Sequence, residues 1–172
     1  MGPVSAEIEI DAPREQVFAT IADLARRPSF TDHFLTGFHL TRLESRGIGA
    51  GARFRVTLPV RSFWMDSTIV EIEQPHKIVE RGKGGRSNRI PTTLVWELTE
   101  SAGSLTSVRV SHWTEPLNPF DRAVEVLAAN SIFEQRGWRE ALRRLREQLE
   151  EEAAATAPLA VAGGNAHATG IP

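Results

Sequence analysis

The stretch TTLVWELTESAGSLTSVRVSHWTEP, Thr92 to Pro116, decides how the chain folds. On its first arm Leu94, Trp96 and Leu98 share one side, against Val95, Glu97 and Thr99. On its second arm Val108 and Val110 share a side with His112 and Thr114, against Arg109, Ser111 and Trp113. Such alternation gives two half-buried strands, Thr92–Thr99 and Leu105–Thr114, and the SAGS break between them is turn chemistry. A connection that short joins antiparallel neighbours. The second arm also poses the functional question. A histidine in phase with buried valines either lines a pocket or is satisfied within the core, and one β-bulge would exchange it for Trp113.

The same pattern extends upstream. Phe38–Ser45, Ala52–Leu58, Ser62–Glu73 and His76–Arg81 read as extended segments, broken by GIGAG, Pro59, Gln74-Pro75 and GKGG. No helical period interrupts them, so they belong to one antiparallel run. At the front, VSAEIEI (Val4 to Ile10) sets Ala6, Ile8 and Ile10 against Glu7 and Glu9, a strand with one wet face. DAPREQVFATIADL then changes to helical spacing, with Val17, Phe18, Ile21 and Leu24 as its apolar stripe. Asp11 is placed to cap it and Pro13 suits its first turn. A short second helix or turn is expected over Ser29 to Leu35.

Downstream, a long helix is expected from Arg122 to Glu152. Val124, Ala128, Ser131, Gln135, Trp138, Leu142, Leu145 and Leu149 fall on one stripe at helical spacing. That stripe is bulky and apolar in its C-terminal half but small or polar in its N-terminal half. The C-terminal half therefore reads as a clamp onto the sheet, and Ser131 and Gln135 face something other than a dry core. Gly137 within the helix costs about 1 kcal/mol relative to alanine, so close packing or a bend is expected there. Residues 1–152 read as one domain, and 153–172, rich in Ala, Gly and Thr without periodicity, as a disordered low-complexity tail.

Composition narrows the function. The chain has 172 residues, no cysteine and a formal charge of −2. Disulfides, thiol nucleophiles and thiolate metal sites are excluded, and no global charge draws the chain to nucleic acid. The start, MGPVSAEIEI, has neither a basic cluster nor an apolar run, and no stretch approaches the roughly 18 apolar residues of a membrane span. The expectation is a cytoplasmic monomer or homodimer with no stable membrane insertion and no nucleic-acid partner. GIGAGA (Gly47 to Ala52) touches a dinucleotide-binding pattern, but a strand follows where that site needs a helix N-terminus, so it reads as a hairpin turn. RGKGGRSNR (Arg81 to Arg89) lacks phosphate-loop spacing and reads as a solvated hairpin before it reads as a contact for a phosphate or carboxylate at the cavity mouth. The histidines His33, His39, His76, His112 and His167 make no i,i+4 or HxH pair, so no metal site is expected, nor any cofactor. No nucleophile-elbow motif occurs.

The segments EIEIDAPREQVFATIADLARRPSF, STIVEIEQPHKIVERG, the opening stretch and WREALRRLREQLE together resemble the START-like helix-grip superfamily, in its bacterial polyketide cyclase/dehydratase-like branch. The resemblance implies an α+β helix-grip fold. In that fold a curved antiparallel β-sheet of about seven strands wraps a long C-terminal α-helix, with two short helices between the first and second strands. It also implies an apolar cavity between sheet and helix, and it transfers no catalytic motif. Carried outward from Val70 and Ile72, the parity of SFWMDSTIVEIE adds Thr68, Asp66 and Trp64 to the concave side. The cavity residues expected are then Trp64, Asp66, Thr68 and Val70; Trp96 and Leu98; Val110, His112 and Thr114; and, from the helix, Leu127, Ser131 and Gln135. Such a site suits a small hydrophobic molecule: a lipid, a polyketide or an aromatic metabolite. The alternative is a cyclase or dehydratase with His112 and Asp66 moving protons, which requires both to reach one cavity volume. A weaker alternative is a protein-interaction face formed by Phe63, Met65, Ile69 and Trp113 on the outside of the sheet.

Overall fold

The computed structural model describes residues 3–59, 62–85, 89–101, 105–115 and 131–156. Strand β1 (Val4–Asp11) leads into α1 (Arg14–Ala22) and the single turn α2 (Pro28–Thr31). Six strands follow: β2 (Leu35–Leu40), β3 (Gly51–Thr57), β4 (Ser62–Glu73), β5 (Lys77–Gly84), β6 (Ile90–Glu100) and β7 (Leu105–Thr114). The long helix α3 (Ser131–Thr156) closes the described chain. Positions 122–130 of the expected helix, with Val124, Leu127 and Ala128, lie outside the described residues, as do 157–172 with His167. At the other end α3 runs past the expected boundary at 152 to Thr156, because the Glu- and Ala-rich run after Leu149 is made of strong helix formers. Asp11 ends β1, and Pro13 rather than Asp11 stands at the N-cap of α1, its carbonyl taking the first helical amides, from Gln16 and Val17, at 2.9 and 3.1 Å. The second helix is shorter than expected and β2 starts earlier, at Leu35.

All seven strands form one antiparallel sheet in the order β1-β7-β6-β5-β4-β3-β2, so the first strand pairs with the last. The sheet is curled into a half-barrel around α3, the helix-grip arrangement. Its curl brings backbones close at Gly82, where a Cβ would stand 1.7 Å from the Asp66 carbonyl oxygen. A side chain there is impossible without moving β4.

The grip is a continuous apolar core. Trp138, Ala141, Leu142, Leu145 and Leu149 recur at spacings of three and four along α3 and are all buried against the sheet. Each buried leucine contributes roughly 1.5–3 kcal/mol. The expected close packing at Gly137 is present. A Cβ there would come 2.8 Å from the Phe34 ring, and His33 Nε2 donates to the Gly137 carbonyl at 3.0 Å. A carbonyl only accepts, so Nε2 carries the proton. Burial pushes the His33 imidazole below its usual range, which keeps the ring neutral in this role at pH 7.

Two strands carry irregularities that decide which side chains face the helix. β2 shifts register against β3 between Thr36 and His39, and β4 shifts against β5 between Ile69 and Glu71. The second bulge overturns the expected parity of β4. Ile72 packs against the core, yet across the extra residue Val70 it is Ile69, Ser67 and Met65 that point inward. Trp64 and Val70 are each 41% exposed. Phe63 packs partly against the core on the inner side, so Phe63, Met65 and Ile69 do not form an outer patch with Trp113.

Candidate functional site

The inner face is built first by strand parity. On β6, Leu94, Trp96 and Leu98 are buried; on β7, Val108, Val110 and His112 are. β7 pairs with β6 and β1 without a register shift, so alternation holds along its whole length. That regularity places His112 inside, opposite Val4 of β1 and Leu94 of β6. Trp113 faces outward, its indole N–H donating to Glu115 at 3.3 Å, and Thr114 at the strand end is half-buried.

His112 meets a carboxylate from the helix. Its Nδ1 forms a short contact with Oε1 of Glu134, and the two side chains are 5% and 15% exposed. One residue further along α3, Gln135 donates through Nε2 to the backbone carbonyl of Ser5 on β1 at 3.0 Å. The N-terminal end of α3 is thus tied by polar contacts to the β1–β7 edge, while its C-terminal half is held by apolar packing. Ser131 is the first described residue of that helix. A histidine held by a carboxylate has a fixed ring orientation and can change charge near neutral pH, which equips it to orient a polar ligand group or move a proton.

A second polar cluster lies deeper. Arg27, between α1 and α2, donates from Nη2 to Glu80 of β5 at 2.7 Å and to the Ile21 carbonyl at 3.2 Å. The Glu80 carboxylate also accepts from the Trp96 indole at 3.1 Å and from Ser67 at 2.7 Å. The Arg27 guanidinium sits over the Trp96 ring, 4.9 Å from its centroid. Both charged side chains are almost fully buried. Taking them from water is costly, and close pairing, three hydrogen bonds to the carboxylate and the aromatic face offset that cost. Parity carried the signal for this cluster. In KIVERG, Glu80 stands in phase with the fully buried Ile78, and an acidic residue in that position needs an internal cation.

The expected site is therefore brought together only in part. Trp96, Leu98, Val110 and His112 share the inner face with Gln135 near them, whereas Trp64, Asp66, Thr68 and Val70 are on the other face of the sheet. Asp66 is half-exposed and faces Arg53 at 3.5 Å, and that arginine stacks 5.4 Å from the Trp64 ring centroid. Asp66 and His112 cannot act on one cavity volume, so the proton-moving pair expected of them is ruled out. Among the described residues, a carboxylate that does reach His112 is that of Glu134. Among the described residues no group of three or more His, Asp or Glu side chains converges as a metal site would require. Nor is any described helix long and apolar enough to cross a membrane.

Residues 1–150 match the family model described as polyketide cyclase / dehydrase and lipid transport. No curated protein matches the chain significantly. Among solved structures, the chain is similar to the KanY protein in solution, with 19% identity over 87% of this chain and 99% of that one and a TM-score of 0.67. It is also similar to a protein of Thermus thermophilus, with 17% identity over 88% and 99% of the two chains and a TM-score of 0.66. A START superfamily protein from Mycobacterium smegmatis gives 14% identity over 88% and 99%, with a TM-score of 0.60. At these identities the likeness is one of fold.

Proposed function

The chain belongs to the polyketide cyclase / dehydrase and lipid transport family, and from that premise we propose that it binds a small apolar molecule between the sheet and the N-terminal part of α3. The observation that carries this reading is the His112–Glu134 pair: a polar, titratable contact among apolar side chains where helix and sheet meet. Apolar walls with one oriented polar group are what a small-molecule site needs. The C-terminal half of α3 is packed without polar side chains on its inner stripe, so it serves as the clamp. The N-terminal part, tied by side chains that can exchange partners, is where a ligand enters. The test is native mass spectrometry of the purified full chain, then titration with a fluorescent fatty acid. Retention or uptake of one apolar molecule, weakened about tenfold in Val110→Trp, is expected. No uptake, or uptake indifferent to that filling substitution, overturns the reading.

The same pair favours a second reading, that of a polyketide cyclase or dehydratase. His112 then moves the proton as general base and Glu134, in place of Asp66, holds its ring. That reading requires turnover which His112→Gln abolishes while apolar binding persists.

A further inference from the structure

The outer face of the sheet carries two rows of charge. Residues aligned across neighbouring strands form the first, Glu7–Arg109–Glu97–Lys77–Glu73, running from β1 through β7, β6 and β5 to β4. The second, Lys83–Asp66–Arg53, crosses β5, β4 and β3. Every member is exposed or half-exposed. The sign alternates along both rows, as favourable cross-strand pairing requires. Lys77 and Lys83 lie on the same strand, β5, which sets the rows about 20 Å apart. Between them the face is nearly neutral: Val79 pairs with Val95 and Val95 with Ser111, and Arg81, opposite Thr93, is the charged exception.

The two rows fit each other when displaced by one strand. Lys83, Asp66 and Arg53 read plus, minus, plus on β5, β4 and β3. Glu97, Lys77 and Glu73 read minus, plus, minus on β6, β5 and β4. A two-fold axis in the plane of the face, running across the strands midway between the rows, lays the first triplet of each copy on the second triplet of the other. The one-strand offset makes the strands of the two copies cross at roughly 25–30°, the range in which aligned sheets pack. An isologous interface needs this kind of patch, one that complements itself. A polyanion would meet Asp66, Glu73 and Glu97 along with the cations, so the alternation disfavours it. By the same spacings the patch covers roughly 400 Å² per copy, about half of what a stable dimer buries on each partner. Lys77 and Arg53 already have partners in their own chain, Glu71 at 2.6 Å and Asp66 at 3.5 Å. Lys83 and Glu97 belong to neither pair.

We propose that this face binds a second copy of the chain in a weak, salt-sensitive two-fold dimer, with Lys83, Asp66 and Arg53 of one copy against Glu97, Lys77 and Glu73 of the other. The pairing uses the side of the sheet away from α3 and is independent of the apolar-binding reading.

Sedimentation velocity of the full chain tests it. At about 50 mM salt, dimer is expected to accumulate as protein concentration rises toward about 0.5 mM; about 0.5 M salt, which screens charges beyond a few ångströms, is expected to weaken it tenfold or more. Lys83→Glu and Glu97→Lys should each raise the dimer dissociation constant about tenfold or more. Mixed in equal amounts, the two variants are expected to form a heterodimer as tight as the unsubstituted dimer, because both contacts around the axis then join opposite charges. Recovery on mixing also shows that both are folded. A chain that stays monomeric at low salt, with this face bare or given to a different partner, overturns the proposal. So does a dimer indifferent to both reversals, which would use another surface, or a mixture of folded variants that does not recover. Fatty-acid uptake is expected to be the same in all of these chains, since it reads the other side of the sheet.

Discussion

Among the described residues, two acid–base pairs with both partners buried or nearly so join helical segments to the sheet, and they differ in what holds them. Arg27–Glu80 fastens the link between α1 and α2 to the middle of the sheet, with side chains 2% and 1% exposed and a carboxylate that accepts three hydrogen bonds. His112–Glu134 fastens α3 to β7 near the sheet edge, is less deeply buried, and includes a member that exists readily without charge. Neither ion of the first pair can leave without stranding the other. The second can trade its partner while the helix stays clamped by Trp138, Leu142, Leu145 and Leu149. The fixed tie maintains the shape of the sheet, and the adjustable tie is the one suited to opening for a ligand.

The largest effect expected from breaking this contrast is at the fixed tie. Arg27→Met leaves the Glu80 carboxylate buried without its cation and should lower unfolding free energy by about 3–5 kcal/mol. Urea denaturation followed by tryptophan fluorescence measures it. A loss below about 1 kcal/mol, the range of exposed pairs, would show that the pair is not a fixed tie. At the adjustable tie, Glu134→Gln keeps a hydrogen-bonding side chain for His112 but removes the charge. The expected loss is about 1 kcal/mol by the same measurement, the net worth of a single hydrogen bond. A loss as large as that of Arg27→Met would abolish the distinction between the two ties.

How far each tie could be read from the sequence depended on strand regularity. β7 alternates without interruption, so the phase of Val108 and Val110 carries correctly to His112. Nothing local identified its partner, since Glu134 is 22 positions away on a helix whose approach depends on how the sheet curls. β4 looks just as regular in sequence, but the extra residue at Val70 inverts everything before it. A bulge inserts one residue into one strand without a compositional mark, and here no glycine or proline announced it. The order of elements and the long apolar stripe of α3 were legible because they are sums over many residues. The inner face of β4 was not, because one residue decides it. The Arg27–Glu80 tie was half legible: Glu80 in phase with Ile78 shows a buried acid, while Arg27 comes from a loop whose path only the fold determines.

The smallest effect expected is at a third ion pair, the one the bulge turned outward. Asp66 and Arg53 face each other on the outside of the sheet at 3.5 Å, with side chains 39% and 43% exposed. Solvent screens such a pair and both side chains stay mobile, so Asp66→Asn should change stability by no more than about 0.5 kcal/mol. Because Asp66 lies across the sheet from His112, the same substitution should leave binding of the fluorescent fatty acid unchanged. Weaker fatty-acid binding in Asp66→Asn with unfolding free energy intact would mean that β4 presents its other side to the ligand. The inner face would then have to be redrawn around Trp64 and Thr68, and Asp66 would join Glu134 as a carboxylate to consider beside His112.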